Sequence, residues 1–325
     1  MVRRIGVILL LVLMLGRLNA QDIHFSQVDA NPLLLNPAYA GFFDGMGRFG
    51  LTYRNQWLAA MIPYQTLAVT GEMAVWHDQQ TGNGLSVGGS VFADHAGELS
   101  YGSTSAHVSP AFYFALNRYR NNYLSLGFDL GWGQSGFDPS RADLDDPSEH
   151  FDTPYVGYVL VGLGAAWYYQ PVSEVSVRLG VSARNVNRPR LTYLGDEESR
   201  LPMRFSIFGR GEWRKWQQVS IMPQLMIQKQ GEYAEMVYGA DVKWYMSEGG
   251  AHETSMRLGL AMRQADALIT NLVVEYDAFI FTFCYDATVS DLASAAKGVG
   301  AMELGLVYRL ARTKKKTRAI KCPIY

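Results

Sequence analysis

A chain of 325 residues with 18% charged side chains and a formal net charge of −1 has no bulk attraction for nucleic acid. Its 32 Gly, 19 Tyr, 15 Phe and 7 Trp are unusual for a soluble enzyme, and two cysteines without neighbouring histidines are too few for a zinc site. After the first twenty residues no run of 18 consecutive apolar residues occurs, so no membrane-spanning helix is encoded.

Residues 1–20 read as a signal peptide. Arg3 and Arg4 give a positive start, Ile5 to Leu15 an apolar core, and Leu18-Asn19-Ala20 a cleavage site, so the mature chain is expected to begin at Gln21. Loss of Arg3, Arg4 and Arg17 takes the formal charge from −1 to −4. An exported chain rich in glycine and aromatics, with no spanning helix, is either a soluble all-β protein or a transmembrane barrel.

The stretch Asn31-Pro-Leu-Leu-Leu-Asn36-Pro37-Ala38-Tyr39-Ala40-Gly41 follows. Its two Asn-Pro steps cannot lie inside a helix or a central strand, because proline lacks an N–H and pushes the preceding residue towards extended geometry. Residues 21–46 are expected to form a periplasmic N-terminal docking segment. From there the chain alternates. Phe49, Leu51, Tyr53 and Trp57 share one face, and Arg48, Gly50, Thr52, Arg54 and Gln56 the other.

Alternation predicts fourteen strands, near 47–57, 64–76, 84–94, 99–115, 121–134, 155–170, 174–186, 200–213, 217–229, 232–246, 252–264, 266–276, 278–289 and 301–311. Four of them decide the class. One phase reads Leu124, Leu126, Phe128, Leu130, Trp132; Val175, Val177, Leu179, Val181; Met236, Tyr238, Ala240, Val242, Trp244; Met256, Leu258, Leu260, Met262, with no charge. The other phase holds Asp129, Glu174, Arg178, Arg184, Glu235, Asp241, Lys243, Arg257 and Arg263, together with Gly127, Gly131, Gly180, Gly239 and Gly259. A soluble sandwich also alternates. Here, however, all seven tryptophans lie near strand ends, where the aromatic girdles of a membrane barrel sit. The fold expected is an antiparallel transmembrane β-barrel of about 14 strands over 47–311, in a Gram-negative outer membrane. An even strand count puts both termini on the periplasmic side, and residues 312–325 form a basic periplasmic tail.

Catalytic chemistry finds little support. His95 with Asp94 and Ser100 is the only grouping that invites a triad, but adjacent strand residues point to opposite faces, and no Gly-x-Ser-x-Gly elbow exists. The acidic run Asp138, Asp143, Asp145, Asp146, Glu149 does not follow calcium-loop spacing. The Gly-x-Gly pairs open no helix after a buried parallel strand, so they are not nucleotide cradles. No enzyme activity, metal or cofactor is expected. Cys284 falls in the lumenal phase with Thr282 and Asp286, while Phe281, Phe283 and Tyr285 face lipid. Whether Cys284 and Cys322 pair cannot be read from their sequence positions.

The Asn-Pro-x-x-x-Asn-Pro-Ala-Tyr-Ala-Gly run and the following Tyr53-Arg54-Asn55-Gln56-Trp57 resemble the PorP/SprF outer-membrane proteins of Bacteroidetes-type bacteria. The resemblance continues in Leu201-Pro202, in Ile221 to Lys229, and in Leu258 to Arg263 with Asp266-Ala267. It ends with Tyr285-Asp286 to Ser290-Asp291-Leu292, Glu303-Leu304 and the terminal Cys322-Pro323-Ile324-Tyr325. It implies a component of type IX protein secretion that exports or anchors large surface adhesins by binding, in some members linked to gliding. The implied partners are the C-terminal region of a secreted adhesin, periplasmic peptidoglycan-binding or type IX secretion components, and outer-membrane lipid. The partner-binding candidates are Asn31, Pro32, Asn36, Pro37, Tyr39, Gly41, Arg54, Trp57, Tyr285, Asp286, Ser290 and Cys322. The alternative is an outer-membrane porin or hydrophobic-solute transporter.

Overall fold

Every backbone N–H and C=O in a bilayer needs a partner within the protein, and a sheet meets this only by closing on itself. A computed structural model describes residues 25–27, 30–43, 45–56, 64–96, 101–137, 155–191, 199–248, 252–289 and 299–310. Its strands are β1 (Gly47–Gln56), β2 (Tyr64–His77), β3 (Gly84–Ala96), β4 (Tyr101–Ala115), β5 (Asn122–Gly136), β6 (Tyr155–Val172) and β7 (Val175–Arg184). They continue as β8 (Arg204–Trp216), β9 (Val219–Gln230), β10 (Tyr233–Ser247), β11 (Thr254–Arg263), β12 (Ala267–Tyr276), β13 (Phe279–Thr288) and β14 (Val299–Leu310). Each pairs antiparallel with its neighbour, and β1 pairs with β14 from Gly47↔Leu310 to Gln56↔Ala301 to seal the barrel.

All fourteen predicted strands are present. The largest shift is at β8, which starts at Arg204 rather than 200. Pro202 has no N–H to give a ladder, and Arg200 makes only an isolated bridge to Arg190.

The apolar phase faces outward: Leu51, Leu130, Val181, Leu258 and Leu260 are each about half exposed, while Asp129, Arg184, Asp241 and Arg263 on the other phase are buried. Lys215 and Lys229 are the only ionised side chains in the outward phase of the described strands, and they lie at opposite ends of the neighbouring strands β8 and β9. About nine rows separate them, which at about 3.4 Å per residue and a tilt near 40° is roughly 23 Å, the height of an apolar band. Lys215 Nζ lies 5.3 and 5.0 Å from the ring centroids of Trp213 and Trp216, as a lysine does where its stem is in the interface.

The two rims differ. Gly47 and Leu310 share one rim with the connections 78–83, 116–121, 173–174, 217–218, 248–253 and 277–278, each six residues or fewer. The other rim carries connections that include 137–154, 185–203 and 289–298. Short turns mark the periplasmic side of outer-membrane barrels, so the barrel strands begin and end there. In one such turn Asp78 accepts hydrogen bonds from the Thr81 hydroxyl at 2.6 Å and the Gln80 N–H at 2.8 Å, which hold its carboxyl below the usual range.

The N-terminal segment departs from expectation. Read as a periplasmic docking piece over 21–46, its described residues instead thread the lumen. Ser26 and Gln27 lie at the outer rim beside Arg54 and Glu303, and Met46 donates from its N–H to Leu310 O at the periplasmic rim. The physical reason is that inward-facing charges need partners, and this segment supplies them. The expected signal peptide and basic tail lie outside the described residues.

An arginine placed on the lipid face should expose this polarity of faces. Leu258→Arg, mid-strand and outward, is expected to lower stability by about 2–4 kcal/mol, and Lys229→Arg at the rim by less than about 1 kcal/mol. Urea unfolding from liposomes, followed by tryptophan fluorescence, measures both.

Candidate functional site

The plug is built from short pieces that its prolines dictate. Pro32 sits in the first turn of α1 (Pro32–Leu35), where its missing N–H is harmless, and Asn36 ends that turn with extended geometry (φ −155°, ψ 120°) forced by Pro37. A 3₁₀ turn over Pro37–Tyr39 follows. Asn36 Oδ1 caps it by accepting from Ala38 N at 2.9 Å. Its Nδ2 donates to Ala165 O of β6 and Val181 O of β7, both at 3.0 Å. One side chain thus ends a helix, starts a turn and ties the plug to two strands.

At the outer rim the plug completes an ion-pair knot. Arg54 pairs with Glu303, directly across the β1–β14 seam, and with Asp286 at 3.3 Å. Arg263 pairs with Asp286 at 3.1 Å and Glu235 at 2.9 Å. Three buried carboxylates therefore face two guanidiniums, with the more exposed Asp266 a further partner of Arg263 at 3.1 Å, and the plug makes up the difference. Ser26 N and Gln27 N donate to the two oxygens of Glu303 at 2.6 and 3.1 Å. Ser26 Oγ donates to Asp286 at 2.7 Å and accepts from Arg54 at 3.0 Å and Arg263 at 2.5 Å. Arg54, Arg263, Asp286 and Glu303 are each 3% exposed or less.

A second anchor lies further along the wall. Arg184 donates to Leu33 O at 2.9 Å and Leu34 O at 3.1 Å, and Arg204 to Leu34 O at 3.0 Å. Arg184 also pairs with Asp129 at 3.1 Å. Ser105 Oγ, His107 Nε2, His107 Nδ1 and Asp129 Oδ2 follow one another at 3.1 and 2.9 Å, the connectivity of a serine–histidine–acid relay. Both Asp129 oxygens are already engaged, Oδ2 by Arg184 and His107 and Oδ1 by Ser109 at 2.7 Å. The chain of bonds runs on through Arg184 to plug carbonyls, so its work here is to hold the plug. The Asp94–His95 pair splits as expected: Thr66 donates to Asp94 at 2.6 Å on the inner wall, and exposed His95 lies on the outer phase.

Glycines in the inward phase make the sockets. A Cβ on Gly127 would stand 2.3 Å from Ala38 N, one on Gly164 1.9 Å from Asn36 Oδ1, and one on Gly180 2.3 Å from Tyr39 Oη. Around them Leu35, Ala38, Tyr39 and Phe42 join Phe208, Met226, Ile269 and Cys284 in an apolar cluster that reaches Asp286 through Ile269 and Cys284. The Tyr39 ring meets Phe42 and Phe208 edge-on at 6.0 and 6.1 Å. At the periplasmic side Gly41 N donates to Glu72 at 3.2 Å, and Glu72 is held by Arg48.

The lumen thus gathers Asn31, Pro32, Asn36, Pro37, Tyr39, Gly41, Arg54 and Asp286 from the partner-binding candidates. Tyr285 is next to Asp286 but on the outward phase. Trp57, Ser290, Cys322 and the cleavage pair Ala20–Gln21 lie outside the described residues. The lumenal residues that sequence reasoning did not single out are Ser26, Glu72, Glu303 and the pairings of Asp129, Arg184, Glu235 and Arg263. The inward phase of those on strands was legible; the lumenal place of Ser26 was not, nor were the partners, more than a hundred residues away in several cases.

Removing one partner from a buried ionic knot leaves the others uncompensated, which costs about 3–5 kcal/mol. Arg54→Ala is expected to destabilise the barrel by that amount in urea titration, and Ser26→Ala by about 1–3 kcal/mol. Equal and small effects of both would show that the knot is not what holds the plug.

Two solved structures share this architecture. A FadL homologue from Pseudomonas aeruginosa superposes with a TM-score of 0.52 at 10% identity, over 84% of this chain and 92% of that one. The toluene transporter TodX from Pseudomonas putida does so with a TM-score of 0.52 at 9% identity, over 89% and 95%. At such identity the likeness is one of fold alone. A search of curated protein sequences finds no match. The type IX secretion system membrane protein family PorP/SprF has a family model that matches residues 18–308. The chain therefore belongs to the PorP/SprF family, an outer-membrane barrel of type IX secretion.

Proposed function

We propose that this barrel works by binding, as an anchor: its outer mouth holds the C-terminal region of a secreted adhesin, and its periplasmic rim engages a peptidoglycan-bound or secretion-system component. In cells that glide, the same attachment would couple the adhesin to movement. The observation that carries this reading is the filled lumen. A plug fixed by buried ion pairs at one rim, by a backbone socket and by an apolar cluster around it leaves a filled cylinder with two exposed ends.

The competing reading is passage of a solute through the lumen; TodX, which shares the fold, is a toluene transporter. A plug bonded from rim to rim favours the anchor. The two readings separate in planar bilayers and in the native membrane. The purified barrel is expected to conduct no ions, whereas Gly127→Val, which drives a side chain into the Ala38 backbone, is expected to conduct or to lose the fold outright. Mild-detergent pull-down of the tagged protein is expected to bring down a large secreted protein or a peptidoglycan-binding lipoprotein. A clean, conducting barrel would replace the anchor with the porin.

A further inference from the structure

The inward-facing charges fall into two populations. Those beside the upper plug are sealed: Arg54, Arg184, Arg204 and Arg263 are each 4% exposed or less. On the periplasmic half of the β7–β14 wall Arg210 and Asp241 are buried against each other, but their charged neighbours stay in reach of water. The side chains of Arg257, Lys243, Glu275 and Arg309 are 11, 16, 18 and 27% exposed. The plug's 3₁₀ turn packs on β4, β5 and β6.

The register of this wall is unusual. Arg178 of β7 stands directly opposite Arg210 of β8, and Lys243 of β10 directly opposite Arg257 of β11. Like charges in directly opposed positions repel, and an antiparallel sheet normally avoids them. Carboxylates compensate in part. Asp241 lies between the two pairs and takes both Arg210 and Arg257, and Glu275 takes Lys243 at 2.9 Å and Arg309 at 3.4 Å. Glu212 accepts from the Tyr245 hydroxyl at 2.5 Å, Arg214 pairs with Glu248, and Glu72 is matched by Arg48. Arg178 has no carboxylate partner among the described residues. Its guanidinium lies over the Tyr39 ring of the plug at 5.8 Å, and its Nε is buried without a hydrogen-bond acceptor.

We propose that this periplasmic vestibule is a binding site for an acidic segment of a partner polypeptide, which places carboxylates against Arg178, beside the buried Arg210, and against Lys243–Arg257. The proposal deepens the periplasmic half of the anchor reading, on which it rests, by giving the chemistry of that partner. The spacing favours a chain over a single anion. The two cation pairs are centred three strands apart and offset by four residues along the strands, roughly 20 Å at about 4.8 Å per strand and 3.4 Å per residue, the span of about six residues of extended chain. Guanidiniums match carboxylates in geometry as well as charge. The chain's own tail is unsuited to the site, because Arg312, Lys314, Lys315, Lys316, Arg318 and Lys321 would repel it.

The test uses the full-length protein in neutral detergent and a fluorescein-labelled twelve-residue glutamate–serine repeat peptide, with glutamine–serine and lysine–serine repeats of equal length as comparators. Fluorescence anisotropy is expected to show binding of the acidic peptide alone, weakening as salt rises. Arg178→Gln and Arg257→Gln are each expected to lower affinity about tenfold, the loss of one charge-assisted contact. Arg178→Lys should recover part of it, and Lys215→Gln, on the outer face of the same rim, should leave affinity unchanged. Heat-modified migration in gels checks that each variant is folded. Equal binding of the neutral peptide would overturn the proposal. So would affinity that survives both arginine substitutions but vanishes when Lys314, Lys315 and Lys316 are replaced by serine, since the tail would then be the site. Displacement of the peptide by millimolar inorganic phosphate would reassign the vestibule to a phosphate group and overturn the polypeptide. Because the peptide assay needs neither cargo nor secretion machinery, its failure is distinct from a failed pull-down.

Discussion

Glu303 is 1% exposed inside a cylinder wrapped in lipid, and a carboxylate in such a place keeps its charge only where compensating groups are fixed around it. Arg54 supplies one, from the strand that closes the barrel, and the N–H groups of Ser26 and Gln27 supply two more. The rest of the interior follows from that requirement. The inner wall must carry the polar residues, because the outer wall is reserved for lipid. Once the wall is charged, something must meet the charge, and the N-terminal segment does so at Ser26 and Gln27, at the Leu33 and Leu34 carbonyls and at Gly41.

The lumen is consequently layered. At the outer rim, carboxylates and guanidiniums are knotted with plug backbone. In the middle, glycines open sockets so that Asn36 can reach strand carbonyls, which no residue with a side chain would permit at Gly127 or Gly164. Around these sockets packs the apolar cluster of Tyr39, Phe42, Phe208 and Ile269, the last directly opposite Asp286 of the knot. The periplasmic third is in reach of water, and there Arg178 stands without a carboxylate partner among the described residues. Rigidity is greatest where the plug is bonded and polarity is most available where a partner would arrive.

How much of this could be read in advance depends on the range of the forces involved. The strands were legible because lipid on one side and lumen on the other impose a period of two, and a register slip would turn Asp129 or Arg263 into the bilayer. The end of each strand was legible from turn residues such as Asn83-Gly84, apart from β8, where the ladder waits for Pro202 to pass. The plug was not legible as a plug. Asn31–Gly41 has the composition of an exposed docking piece, and the atoms that receive Asn36 belong to residues 129 and 145 positions away. Gly127 and Gly180 could be seen on the charged face, but nothing local says what they make room for. Arg54 and Asp286 emerged as candidates for partner binding, and here they bind each other.

The site where the plug is tied has a consequence for assembly. Arg54 and Glu303 are register partners across β1 and β14, the pair of strands whose union requires the largest loop closure in the chain. The plug's Ser26 and Gln27 bond to Glu303, and Ser26 also to Arg54 and to Asp286 of β13. Seating the plug therefore satisfies charges on both sides of the seam, and sealing the seam completes the site that seats the plug. Each step supplies the compensation the other lacks. An unplugged closed barrel would bury an excess of carboxylate, and a plugged open one would leave Arg54 and Glu303 apart. The two events are thermodynamically linked through one ion pair, which is why a knot of a few side chains at the outer rim governs both the closure of the sheet and the filling of its lumen.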